Sequence, residues 1–292
     1  MYDVIVIGAG PGGISASLYI KRAGKKVAVL YHGISELQQA EKIENYYGFE
    51  NGITGEELYQ DGIKQAKNLG IEVLEKEVTN IETKGTDFVV KTSEGDFQTK
   101  AVIIATGNKK VKPNIKGINE FEGKGISYCA ICDGFFYRNK KVAIIGNGKF
   151  ALSEAEDLKN IVNEITIFTN GLEAPLTKEY EINTKKIKEI QGEKRVNSLL
   201  LEDGTKVEVD GIFVAQGVAG GSDFAKKLGI LMNNDTIVVN SEMETNLPGI
   251  YACGNLTGGL LQVNKAVYEG AKAGLQAVNY LRKNKEEKEW VY

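Results

Sequence analysis

The apolar positions of this chain fall in short runs broken by glycine. Val4-Ile5-Val6-Ile7 is one such run and reads as a strand buried on both faces. It leads straight into Gly8-Ala9-Gly10-Pro11-Gly12-Gly13, after which a helical spacing runs from about Ile14 to Ala23 and stops at Gly24. Lys26–Leu30 reads as a second strand, so the chain opens with a βαβ unit. Thr54-Gly55-Glu56-Glu57 has the form of a capping box and predicts a helix ending near Gly70. Shorter alternating segments follow at Glu72–Leu74, Val78–Ile81, Phe88–Lys91 and Phe97–Thr99, then a buried strand from Val102 that turns at Ala105-Thr106-Gly107.

The same order restarts at Lys141. Val142-Ala143-Ile144-Ile145 runs into Gly146-Asn147-Gly148, then a helix, then the strand Ile165–Phe168. Segments Lys185–Ile190, Val196–Leu201 and Lys206–Val209 follow, and Gly211–Gly217 echoes the strand that ends at Gly107. The final piece, Gly249–Asn255 and a helix from about Gln262 to Arg282, has no partner in the second copy and is expected to return to the first. The fold class is therefore α/β: two Rossmann-like domains with β-meanders, the second inserted in the first. The expected domains are 1–112 with 244–292, enclosing 113–243.

Composition narrows the function. The 292 residues are 42% hydrophobic and 26% charged, with a formal net charge of −3, which argues against a nucleic-acid stripe. No apolar run approaches about 18 residues and no secretory leader is recognisable, so a cytoplasmic location is expected. Three cysteines do not make a disulfide scaffold; a close pair in a reducing compartment reads as redox or metal chemistry.

Gly8-x-Gly10-x-x-Gly13 between strand and helix suits a dinucleotide pyrophosphate, held by helix N-terminal N–H groups; a ligand-free turn is the alternative. The second strand ends Leu30-Tyr31-His32, with no acid for a ribose, so Tyr31 and His32 either flank an adenosine or lie in a surface loop. Cys129-Ala130-Ile131-Cys132-Asp133 offers two thiols spaced for a disulfide and an acid to move a proton. Half of a four-cysteine zinc site is the alternative, although Cys253 and His32 stand alone.

The run Cys129 to Arg138 followed by Lys141–Gly146 resembles the thioredoxin reductase family of low-molecular-weight flavoenzymes. Ile43–Tyr46, Gly52–Gly55, Ala105–Gly107 and Gly249–Asn255 resemble it too, so the likeness covers almost the whole chain. It implies FAD in the first domain, a homodimer, and thioredoxin as substrate. It further implies that Cys132 faces the flavin, Cys129 attacks thioredoxin, and Asp133 gives and takes the proton. Asn45, Val78, Ala105, Thr106, Gly107, Gly254, Asn255, Gln262 and Val263 should line the FAD, with Gly8, Gly10, Pro11, Gly12 and Gly13 at its pyrophosphate. The family usually has Asp where Asn255 stands, and Gly-Gly-Gln near Ile34-Ser35-Glu36, so Glu36 marks an altered contact loop.

The second glycine loop departs from the family further. A 2′-phosphate calls for cations, and the family's His-Arg-Arg run is here Phe168-Thr169-Asn170-Gly171. Only four of 36 basic residues are arginine. Phe150 stands where a small Ser is usual, and Gln216–Gly221 lacks a Pro-Asn-Thr stretch. These features resemble the ferredoxin-dependent flavin thioredoxin reductases and imply ferredoxin as donor. Transfer from roughly −400 mV to roughly −270 mV releases about 6 kcal/mol over two electrons. An NAD(P)H-dependent thioredoxin reductase and a flavin-binding redox sensor are the alternatives. Docking patches are sought at Lys109, Lys110, Lys112 and Lys116, or at Arg138, Lys140 and Lys141, with a solvated face as the alternative. In the Trp290-Val291-Tyr292 tail, Trp290 or Tyr292 either packs on the partner subunit or covers the flavin, or the tail is a frayed end.

Overall fold

The computed structural model describes residues 1–107 and 113–289. They belong to two compact units, Met1–Lys109 with Gly220–Tyr292, and Lys110–Ala219.

The first unit opens with β1 (Tyr2–Ile7), α1 (Pro11–Arg22) and β2 (Val27–Tyr31). Then come α2 (Gly55–Asn68), β3 (Glu72–Glu75), β4 (Val78–Lys84), β5 (Asp87–Thr92) and β6 (Gly95–Ile104). The capping box predicted at α2 forms: Thr54 Oγ1 accepts from the Glu57 N–H at 3.1 Å and Glu57 accepts from the Thr54 N–H at 3.1 Å. The sheet order is β3-β2-β1-β6-β5-β4. β1 is parallel to β2 and β6, whereas β4, β5 and β6 form an antiparallel meander. Where the sequence spacing suggests two strands, β6 is one strand of ten residues. No turn residue interrupts it, and Lys100 is held to Asp3 at 2.9 Å.

The second unit contains β7 (Ile126–Ser127), α3 (Ala130–Asp133), β8 (Lys141–Ile145), α4 (Lys149–Leu158), β9 (Glu164–Phe168) and β10 (Glu181–Asn183). The strands β11 (Ile187–Gly192), β12 (Val196–Leu201), β13 (Lys206–Glu208) and β14 (Gly211–Val214) complete it. A parallel sheet of order β10-β9-β8-β14-β7 is accompanied by an antiparallel sheet β11-β12-β13, and Ile145, Phe168, Leu199, Leu201 and Ile212 share its core. This is the plan of the first unit repeated.

The chain then supplies α5 (Gly221–Leu228), β15 (Met232–Asn233), β16 (Thr236–Ile237), β17 (Ile250–Ala252) and α6 (Val263–Glu289). β17 pairs in parallel with β6, Tyr251 against Ile103, so the chain end re-enters the first sheet. Helices α6 and α1 meet backbone to backbone: a Cβ on Gly270 would lie 2.0 Å from the Gly12 oxygen, and one on Gly274 2.5 Å from the Ala16 oxygen. Residues 220–243, expected with the second unit, cluster with the first. The Gly221 N–H donates to Thr106 Oγ1 at 2.9 Å, and a Cβ on Gly221 would meet Leu256 at 2.3 Å. Among the described residues no helix is long and apolar enough to cross a membrane.

Candidate active site and cofactor cradle

In the first unit β1 and β6 end side by side at the carboxyl edge of the sheet, where ligand crevices open in such folds. Gly8 leaves β1 at φ 110°, and a Cβ there would lie 2.3 Å from the Ala105 oxygen. A Cβ on Gly13 would lie 1.9 Å from the Gly8 oxygen. Pro11 starts α1, and its N-cap, Gly10, brings no side chain to the first turn. The N–H groups of Gly12 and Gly13 therefore have no acceptor within the helix and face outward from a positive dipole end. That is a phosphate cradle.

Residues far apart in sequence gather around this edge. Glu36 opens a 3-10 turn, Glu36–Gln39, capped by Ser35. Asn255 Nδ2 donates to Glu36 Oε2 at 3.2 Å, and a Cβ on Gly107 would lie 3.8 Å from the same oxygen. Asn45 Nδ2 donates to Gln262 Oε1 at 3.0 Å. Thr106 is engaged by Gly221, and Val263 is the first residue of α6. Tyr31, His32 and Val78 enter none of these pairings: Tyr31 is half-buried at the end of β2, His32 is exposed, and Val78 is buried in β4. Burial, then the Glu75 charge, raises the Tyr31 phenol pKa.

Sequence reasoning missed the brace beneath Asn255. Lys265 Nζ donates to the Gly254 oxygen, Thr257 Oγ1 and Glu269 Oε2, each at 2.9 Å. Glu269 also accepts from the Gly254 N–H at 2.9 Å. Their i,i+4 spacing on α6 is the only sequence signal, and it usually marks an exposed face. Cys253 is fully buried, and burial, then Glu269, pushes its thiol up to about 12. It is an inert core residue.

In the second unit Cys129 and Cys132 are joined as a disulfide. Cys129 is the N-cap of α3, its Sγ accepting from the Cys132 N–H at 3.2 Å. Cys129 is buried and Cys132 exposed. Ser127, unnoticed in the sequence, ties the turn together: its Oγ donates to Asp133 Oδ2 at 2.7 Å and accepts from the Cys129 N–H at 3.1 Å. The residues after the pair anchor it. Buried Tyr137 meets Phe213 edge-on at 5.4 Å, and only a glycine at 211 leaves room for its ring. Ile131, Phe135 and Phe136 are 49%, 70% and 68% exposed, an apolar surface beside the sulfurs. Cys129 thus sits at the start of α3, and Asp133 closes the turn with its carboxylate held by Ser127.

The second glycine turn keeps the backbone of the first: a Cβ on Gly146 would lie 2.2 Å from the Ala215 oxygen. A buried ring, Phe150, occupies the first turn of α4. After β9, Thr169 Oγ1 donates to the Leu172 oxygen at 2.7 Å and Asn170 Oδ1 accepts from the Ile187 N–H at 2.8 Å. The first bond braces the loop itself and the second ties it to the start of β11. Lys116 is paired with Glu189 at 2.6 Å and Lys141 with Glu164 at 2.8 Å. Arg138 and Lys140 each lie 5.9 Å from a ring centroid, of Phe135 and Tyr137. Lys109, Lys110, Lys112 and the segment Trp290–Tyr292 lie outside the described residues.

The family profile for pyridine nucleotide-disulphide oxidoreductases matches residues 2–270. A thioredoxin reductase of Helicobacter pylori is 35% identical, covering 96% of this chain and 99% of its own length. The structure of the atypical thioredoxin reductase of Desulfovibrio vulgaris Hildenborough is 36% identical with a TM-score of 0.90, covering 97% of this chain and 99% of that one. A ferredoxin-flavin thioredoxin reductase of Clostridium acetobutylicum is 35% identical with a TM-score of 0.71, covering 97% and 98%. Two parallel-sheet units with a vicinal disulfide are thus those of a flavin-dependent disulfide oxidoreductase. The chain belongs to the pyridine nucleotide-disulphide oxidoreductases, within them to the thioredoxin reductase family, and its cofactor is FAD. The glycine cradle fits that cofactor, since Gly8 and Gly13 have no room for a Cβ and the N–H groups of α1 stand open.

Proposed function

We propose that the protein carries electrons from ferredoxin, by way of FAD and the Cys129–Cys132 pair, to the disulfide of a thioredoxin. The observation that carries the choice of donor is the turn after β9. A 2′-phosphate needs cations and a free ribose hydroxyl needs an acid. Thr169, Asn170, Gly171 and Leu172 provide neither, and two of their polar groups are already bonded, Thr169 within the loop and Asn170 to the start of β11. The solved relative described as a ferredoxin-flavin thioredoxin reductase supports the same reading.

In this reading Gly8, Gly10, Gly12 and Gly13 receive the FAD pyrophosphate at the start of α1. Glu36, Ala105–Gly107 and Gly254–Asn255 border the carbohydrate portion, and Asn45, Gln262 and Val263 the ring. Bound FAD supplies the electron pair that opens the disulfide. Cys132 is the sulfur turned to the flavin. Cys129, the N-cap, is the attacking thiolate, stabilised by the Cys132 N–H. Asp133, oriented by Ser127, delivers and recovers the proton. Because Cys129 is buried, its attack on a protein disulfide requires that the turn first be uncovered. Exposed Ile131, Phe135 and Phe136 offer thioredoxin an apolar landing surface. The working form is a homodimer, which sedimentation analysis tests.

The retained Gly146-x-Gly148 turn favours a second reading, NAD(P)H as donor. Anaerobic stopped-flow reduction with ferredoxin, NADPH and NADH in turn separates the two. Flavin bleaching at turnover rates by ferredoxin alone is expected; bleaching at those rates by either nucleotide overturns the first reading. Flavin reduction without thioredoxin turnover would mark a sensor instead.

A further inference from the structure

Glu154 is a buried carboxylate to which the proposed reaction gives no role. It lies on α4, is 1% exposed, and accepts from the Ala130 N–H at 2.7 Å. Ala130 is the first residue of α3 and the neighbour of Cys129. One turn along α4, Leu158 lies 2.7 Å from where a Cβ on Gly134 would sit. Residues four apart share a helix face, so Glu154 and Leu158 form one stripe. That stripe grips Ala130 and Gly134, on either side of Cys132.

A carboxylate is costly to bury unless it is matched. Here it is placed at the N-terminus of the dithiol turn, where open N–H groups otherwise favour a thiolate. Glu154 occupies one of them and brings negative charge to the neighbourhood of Cys129.

We propose that Glu154 is a positioning residue for the dithiol: it docks α3 onto α4, and its charge makes the reduced pair a stronger reductant. Reduction breaks the bond between Cys129 Sγ and Cys132 Sγ. Two electrons enter from the reductant, one sulfur takes a proton, and the other remains a thiolate. A carboxylate beside that thiolate disfavours the reduced state. The potential of the pair falls, and its electrons are passed more readily to a thioredoxin disulfide. The inference rests on Cys129–Cys132 being the exchanging pair.

The test is the dithiol–disulfide equilibrium of the FAD-loaded protein in dithiothreitol redox buffers, read by alkylation trapping and mass. Glu154→Gln keeps an acceptor for the Ala130 N–H and removes the charge. It is expected to shift the equilibrium about tenfold toward the dithiol, about 30 mV less negative for a two-electron couple. Glu154→Asp keeps the charge but draws it back, and should shift the same way by less. An equilibrium in a folded Gln variant within threefold of the parent, or displaced toward the disulfide, overturns the proposal. Should the Gln variant fail to fold, the Asp variant decides by the sign of its shift, and no shift also overturns it. Dithiothreitol supplies the electron pair here, and neither thioredoxin, ferredoxin nor a nicotinamide donor enters this measurement. Loss of thioredoxin turnover in the parent enzyme would therefore count against the proposed function while the equilibrium still judges Glu154.

Discussion

Ser127 occupies a 5% exposed site and holds both Asp133 and the Cys129 N–H. Ser127→Ala leaves those partners unsatisfied, which costs about 1–3 kcal/mol; denaturant unfolding should show the loss, with reduced turnover alongside. Asp133→Asn should lower turnover by roughly 10²–10⁴-fold, the usual share of a general acid–base group, with flavin binding intact. Cys132→Ser should keep the yellow colour and lose disulfide reduction entirely; retained turnover contradicts its assignment. Cys253, with its thiol near 12, stays protonated at neutral pH and should resist alkylation until the protein unfolds. The disulfide pair was legible because its chemistry resides in local spacing. Ser127 and Glu154 were not. A serine before a cysteine and an acid on a helix look like surface positions until a neighbouring element covers them.

At the scale of elements, glycine decides where backbones can meet. Gly13→Ala would press a methyl group into the Gly8 oxygen, 1.9 Å away, and should abolish FAD retention, read as flavin absorbance after gel filtration. Lys265→Met leaves Glu269 buried without its cation, since the two side chains are only 16% and 11% exposed. Breaking such a pair costs about 3–5 kcal/mol, so the turn bearing Asn255 should loosen and FAD affinity should fall, measured by flavin fluorescence titration. Strand and helix periodicities showed most of these elements in advance. They misjudged β6, read as two strands, because one strand crosses from a meander into a parallel sheet and its burial pattern changes midway. The 3-10 turn at Glu36 was also missed, being a single turn with no period to detect.

For the whole molecule the two units repeat one plan with different contents. The first retains an open helix N-terminus and brings together the pairs Glu36–Asn255 and Asn45–Gln262. The second retains the glycine turn, but the polar groups of the neighbouring loop are bonded to Leu172 and to Ile187 of β11. The expected consequence is selective: reduced ferredoxin supports thioredoxin turnover, whereas millimolar NADPH supports little, both read from thioredoxin thiol release. Replacing Phe135 and Phe136 by alanine should weaken the apparent affinity for thioredoxin with little change for a small disulfide substrate.

Sequence alone determined the repeated α/β plan, the glycine approach at Gly8–Gly13 and the vicinal dithiol, because apolar period, turn residues and motif spacing are local properties. Tertiary structure decided which distant residues meet: Glu36 with Asn255, Asn45 with Gln262, and Glu154 with Ala130. It also decided that residues 220–243 join the first unit. Such pairings depend on which faces become buried together, and a polar residue gives no sign of its partner until packing removes water from between them.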